Sequence, residues 1–266
     1  MPYTSNAGCR LYYETDGDIG SRPVLVMIRG FSRSIRYWGP VRQLLARDHA
    51  LVVMDNRGVG RSATTRPPYS TRLLADDVAS VMDHAGVDRA HVFGLSLGGM
   101  IAQQIALNHT GRVDRLVLGC THHGGLATLP PARTVLATLR AGFMRPDQSM
   151  RYMAPYLLGR DHASSEELLA LWTEASLGDP RSMRGLIGQV TAVMRHRTRH
   201  RLADIGHPTL VISGDDDWMV PLRHSRAVAE RIPSAELHVI PGAGHDFPTD
   251  HPGETAQAIS RFLGDR

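Results

Sequence analysis

Three residue types needed for nucleophilic attack on an acyl carbon occur in suggestive places in this chain. Ser96 is the centre of Gly94-Leu95-Ser96-Leu97-Gly98, a G-x-S-x-G pentapeptide. It directly follows the apolar run AHVFGL and opens a helix-like stretch. A strand-to-helix turn of this kind pushes the hydroxyl out at the sheet edge, beside helix N–H groups that favour a developing anion. A serine hydroxyl is a poor nucleophile until a base takes its proton, so a histidine and an orienting carboxylate are required elsewhere. Of fourteen histidines, His245 in IPGAGHDFPTDHP falls in a loop between an apolar run and the last amphipathic segment. The loop before it, in ISGDDDWMVP, holds Asp215, Asp216 and Asp217. One more residue stands out: in VLVMIRGFSRS an apolar run ends in Arg29 and Gly30, where a strand would turn towards a site.

These residues need a scaffold, and the hydrophobic pattern supplies one. Pro23–Arg29, His49–Asp55, Ala90–Ser96 and Val113–Thr121 are short apolar runs that read as buried strands. Between them Arg36–Arg47, Thr71–Ala85 and Leu97–His109 carry helical periodicity. The alternation resumes after residue 207, with strands in PTLVISG and AELHVIPG and helices over Leu222–Ile232 and Pro252–Leu263. The segment CRLYYETDGD reads as an additional short strand closed by a turn at Asp16-Gly17. Strands joined by helical crossovers predict an α/β fold with a mostly parallel sheet flanked by helices. Residues 124–202 interrupt this order, with almost no strand signal and helical stretches such as SSEELLALWTEASLG. The expected organisation is a core of residues 1–123 and 203–266 with a helical cap of residues 124–202 inserted into it.

With these motifs in place, nearly the whole chain resembles the α/β-hydrolase fold superfamily, closest to its small serine esterases and lactonases. MDNRGVGRS, Met54 to Ser62, is similar to the D-x-R-G-x-G-x-S turn of that family, and the order serine, aspartate, histidine matches it too. The resemblance assigns roles residue by residue. The family pattern G-x-x-D-x-x-V-P, read onto GDDDWMVP, selects Asp217 as the acid and leaves Asp215 and Asp216 as turn residues. The pattern GAGH selects His245 as the base. Family position makes the backbone N–H groups of Phe31 and Leu97 the oxyanion hole. The family usually has histidine where this chain has Arg29. Bracing of loop carbonyls is the preferred reading of that arginine, and a grip on an anionic substrate group is the sharper one. Arg29, Gly30, Trp38 and Trp218 are the substrate-binding candidates. The implied reaction is cleavage of an ester, lactone or related acyl bond in a small apolar-to-mixed molecule, with no cofactor. The alternative is a lyase that eliminates acetate or water from an acylated intermediate with the same three residues. A non-catalytic ligand-binding module ranks third.

Composition excludes several other classes. The 266 residues are 42% hydrophobic and 21% charged, ordinary for a globular chain, and no apolar run is long enough to span a membrane. Net charge is only +4, and all thirty basic residues are arginine. The densest basic cluster, MRHRTRHRLADI, lacks interleaved aromatics, so no nucleic-acid partner is expected. His196 and His200 stand four apart, a zinc-compatible spacing on a helix, but the flanking arginines would repel a cation, so no metal is expected. His122-His123 either faces the pocket or begins the cap. Met144, Met150, Met153, Tyr156, Trp172, Leu186 and Met194 of the cap either line an apolar pocket or pack its helices. Arg33 and Arg36 read as solvated. The opening MPYTSNAGCR has no secretory pattern, and Cys9 and Cys120 read as free thiols of a reduced cytoplasmic protein.

Overall fold

The computed structural model describes residues 2–264 except 126, 127, 129 and 181, so small parts of the expected core and cap lie outside the described residues. Its strands are β1 (Tyr3–Asn6), β2 (Cys9–Asp16), β3 (Val24–Ile28), β4 (Ala50–Met54), β5 (Ala90–Leu95), β6 (Val113–Gly119), β7 (Thr209–Gly214) and β8 (Ala235–Ile240). They form one sheet in the order β1-β2-β4-β3-β5-β6-β7-β8. The pairs β1/β2 and β2/β4 are antiparallel and all others parallel. The central strands β3 and β4 are apolar on both faces because helices cover both, whereas the edge strand β8 is mostly part-buried. Along β3, Val26 and Ile28 join one core while Leu25 and Met27 join the other. Fully burying one such side chain stabilises the fold by about 1.5–3 kcal/mol.

The helices in chain order are α1 (Gly39–Leu45), α2 (Thr71–His84), α3 (Leu97–Asn108), α4 (Ala132–Ala141), α5 (Pro146–Leu157), α6 (Glu166–Leu177), α7 (Met183–Arg195), α8 (Leu222–Ala229), α9 (Phe247–Asp250) and α10 (Pro252–Gly264). The helix expected over Arg36–Arg47 divides in two. A 3-10 turn over Ile35–Trp38 precedes α1, because Pro40 has no N–H to donate and Gly39 takes φ 51° at the break. A strand absent from the sequence reading, β1, pairs with β2 through a two-residue loop. Ala7 and Gly8 have φ 45° and 70° there, the left-handed pair that tight hairpins favour. The helical spacing of His196 and His200 fails for a similar local reason: α7 ends at Arg195, and His196 is extended.

Between β6 and β7 the chain runs through α4, α5, α6 and α7. Buried residues of α4, α5 and α6, among them Ala137, Met150, Met153, Leu157 and Trp172, form a core of their own that also takes in Tyr37. Helix α7 is attached differently, through glycines that let the chain at residues 58 and 69 approach closely. A Cβ on Gly185 would lie 2.2 Å from the Gly58 carbonyl oxygen, and one on Gly188 would lie 2.3 Å from the Tyr69 ring. Arg33 is not solvated as expected; its guanidinium stacks on Tyr37 and Trp172, at 4.2 and 5.0 Å from the ring centroids. Arg36 remains at the surface, 3.7 Å from Asp179.

Candidate active site

The site forms at the carboxyl ends of the parallel strands, where an α/β sheet leaves a crevice. Ser96 follows β5 with φ 58° and ψ −115°, a conformation an L-residue adopts only under compulsion from its surroundings. The compulsion is visible. Its N–H donates to the Gly119 carbonyl of β6 at 2.8 Å, and its own carbonyl accepts from the Met100 N–H and the Thr121 hydroxyl. The flanking glycines are required by close approach: a Cβ on Gly94 would sit 2.2 Å from the Gly98 carbonyl oxygen, and one on Gly98 only 2.0 Å from that of Ile28.

His245 lies between Ser96 and Asp217. Its Nε2 is 3.0 Å from the Ser96 hydroxyl oxygen, and its Nδ1 is 2.8 Å from Asp217 Oδ2. The other carboxylate oxygen of Asp217 accepts the N–H groups of Met219 and Val220, both at 2.8 Å. Acceptance by a carboxylate places the imidazole proton on Nδ1 and leaves the Nε2 lone pair facing the serine hydroxyl. Four contacts pin the histidine segment. The Cys120 thiol donates to the His245 carbonyl, the Gly244 N–H to Asp250, the Asp246 N–H to the Leu157 carbonyl, and a Cβ on Gly244 would meet the Leu158 backbone at 2.3 Å. Burial raises the pKa of the Cys120 thiol well above its usual value. Asp215 and Asp216 are turn residues, accepting the Gly242 and Arg160 N–H groups.

Phe31 and Leu97 flank Ser96 from the loop after β3 and the start of α3. Among the described residues neither backbone N–H has an acceptor. Gly30 is close enough that a Cβ on it would lie 3.1 Å from that of Ser96.

The other candidates are placed elsewhere. Arg29 is 1% exposed, and its guanidinium is taken up by Asp246 through three contacts of 2.8 to 3.0 Å while stacking 4.8 Å from the Trp38 ring centroid. It braces a carboxylate, not loop carbonyls, and it is sealed from substrate. Trp38 is 0% exposed and packs on Phe93, so it too is core rather than lining. Trp218 is 37% exposed and stacks under Arg133 in a cleft of about 490 Å³. That cleft is lined by Arg133, Arg151, Tyr152, Pro155, Tyr156 and Trp218, and not by Ser96. Met150, Met153 and Trp172 are helix-packing core, while Met194 is exposed.

Several residues that position the site were not singled out from the sequence. Asp246 and Asp250 carry no motif of their own. The only available signal was that buried Arg29 needs a counter-charge. Asn56 donates to the Arg29 carbonyl at 2.9 Å, and Gln189 of α7 accepts the Ser32 N–H at 2.8 Å.

Close by is a buried histidine cluster, with the His122 ring 6.4 Å from His196 and 6.3 Å from His224. Nδ1 of His122 accepts the Gly124 N–H, so its proton sits on Nε2. Burial first, and then repulsion from neighbouring histidines, push His122 and His196 each down to about 3. A histidine depressed in this way is protonated below its ordinary pKa in the unfolded chain but not in the folded one. Stability is therefore full above pH 6.5 and is lost as pH falls towards 3. Relative to His196→Gln, the wild type should lose about 1.4 kcal/mol per pH unit between pH 6 and 4. Urea unfolding of both proteins across that range tests this, and parallel pH curves would refute it.

This strand order, strand-to-helix serine turn and histidine loop are those of an α/β hydrolase. The chain belongs to the α/β-hydrolase fold family, whose model matches residues 23–252. It is 32% identical over 242 residues to a poly(3-hydroxyalkanoate) depolymerase of Ectopseudomonas oleovorans, covering 90% of this chain and 83% of that one. It is equally 32% identical over 264 residues to a putative carbamate hydrolase, RutD, of Caulobacter sp. (strain K31), covering 95% of each. Among solved structures, a hydrolase from Pseudomonas aeruginosa PA01 superposes with a TM-score of 0.86 at 27% identity, over 99% of this chain and 98% of that one. The chain is an enzyme of the hydrolase type. Among the described residues, no helix is long and apolar enough to cross a membrane.

Proposed function

We propose that this enzyme is a serine hydrolase that cleaves an ester, lactone or related acyl bond of a small apolar-to-mixed molecule. The observation that carries the reading is His245 bridging Ser96 and Asp217 at 3.0 and 2.8 Å, beside two amides that have no acceptor among the described residues. In this reading His245 Nε2 takes the Ser96 proton as the oxygen attacks the acyl carbon. Phe31 and Leu97 N–H groups stabilise the oxyanion, each donor contributing about 3 kcal/mol to transition-state stabilisation. Asp217, held by two backbone amides, stabilises the imidazolium that forms. His245 then protonates the leaving group, and water releases the acid by the reverse path. Helices α4–α7 serve as the cap over this site. Hydrolase relatives do not favour the lyase alternative, and Asp246 occupies the guanidinium that such a reaction would use on an acidic substrate.

The test is labelling with a fluorophosphonate, followed by peptide mass analysis and a panel of short-chain p-nitrophenyl esters and lactones. Phosphonylation confined to Ser96, with turnover of at least one ester or lactone, is the expected result. A folded protein with no label on Ser96 would overturn the proposal.

A further inference from the structure

Arg29 and Asp246 are far apart in sequence, yet they meet in a bidentate pair with side chains 1% and 6% exposed. Their chain neighbours are the two halves of the chemistry just described. Arg29 leads directly into Gly30 and Phe31, the residue assigned in that reading to the oxyanion hole, and Asp246 directly follows His245. The guanidinium sits against Trp38, and its two terminal nitrogens both engage Asp246, so the planar fork fixes angle as well as distance. Neither loop is held by this contact alone. Asn56 grips the Arg29 carbonyl and Gln189 the Ser32 N–H on one side, while Asp250 grips the Gly244 N–H on the other. Among the described residues, the ion pair is a side-chain contact that joins the two loops directly.

We infer that Arg29 and Asp246 form a positioning strut that sets the oxyanion loop and the His245 loop at a fixed separation, so that Phe31 N–H and His245 Nε2 address one tetrahedral centre. This rests on the serine hydrolase reading. It explains why an arginine tolerates complete burial at the mouth of a site without reaching substrate. A neutral residue there could fill the space, but it could not transmit the position of one loop to the other. The strut acts on the tetrahedral state and not on substrate capture, which gives it a kinetic signature.

The experiment replaces both charges together, as Arg29→Met with Asp246→Leu, because removing one partner strands a buried charge while an apolar pair is often neutral for folding. Fluorophosphonate labelling of Ser96 in the wild type comes first, and thermal melting confirms that the double variant is folded. With p-nitrophenyl butyrate, kcat should fall about 10- to 100-fold with KM unchanged. Affinity for phenylboronic acid, which forms a tetrahedral adduct on serine, should fall in parallel with kcat. Arg29→Lys, which keeps the charge without the fork, should recover part of kcat and serves equally if the double variant does not fold. A folded double variant, or Arg29→Lys, with wild-type kcat and boronate affinity would overturn the strut while leaving the hydrolase reading intact. No label on wild-type Ser96 would overturn both.

Discussion

Ser96→Ala is expected to abolish turnover, with kcat reduced on the order of 10⁶-fold and fluorophosphonate labelling lost, while the protein stays folded. Among the described residues the hydroxyl makes one side-chain hydrogen bond, with His245 Nε2, and the backbone that places it is held through main-chain groups alanine retains. Ser96→Gly should be equally inactive but more stable, by about 1 kcal/mol, because glycine adopts the φ 58° geometry without the steric conflict of a Cβ. Steady-state kinetics and thermal melts of both variants provide the check. Residual turnover above about 1% of wild type, insensitive to fluorophosphonate, would show that the nucleophile lies elsewhere.

The second large effect is expected from Asp217→Asn, and its argument is one of hydrogen-bond orientation. Met219 and Val220 N–H groups can only donate, so the new amide must turn its oxygen towards them. That leaves the amide NH₂ facing His245 Nδ1, where the carboxylate now accepts. The imidazole is forced to carry its proton on Nε2, opposite Ser96, and loses its capacity as a base. A fall in kcat of about 10⁴-fold at pH 7 follows, with little change in melting temperature. A loss below about tenfold would mean that Asp217 does not control the tautomer.

How far these conclusions were legible beforehand depended on whether a residue's role was local. Strands β3 to β7 announced themselves because burial on both faces leaves largely apolar runs, and Ser96 stood in a pentapeptide whose glycines are demanded by the Gly98 and Ile28 carbonyls. Four-residue β1 had no such run, being half-buried at the sheet edge. Asp217 was separable from Asp215 and Asp216 only by its place in GDDDWMVP, since all three are aspartates in one turn. Arg29 illustrates the limit. Its position flagged it, but its partner is a tertiary fact, and both the preferred bracing of loop carbonyls and the alternative grip on substrate gave way to Asp246. Trp38 failed for the same reason, as nothing local distinguishes a fully buried tryptophan from one lining a pocket. His196 looked like part of a basic surface helix and is instead buried beyond the end of α7.

The unequal attachment of the inserted helices bears on how such an enzyme diversifies. Helices α4, α5 and α6 share a core that also takes in Tyr37, whereas α7 is seated on Gly58 and Tyr69 through Gly185 and Gly188 and touches the loop after β3 through Gln189. Both parts are nevertheless tied to the loops of the candidate site: the Leu157 carbonyl of α5 accepts the Asp246 N–H beside His245, and Gln189 of α7 accepts the Ser32 N–H. A mutation in the outer helices therefore reaches the neighbour of His245 through one backbone contact, and that stretch of the gene is free to drift only where the end of α5 keeps its place.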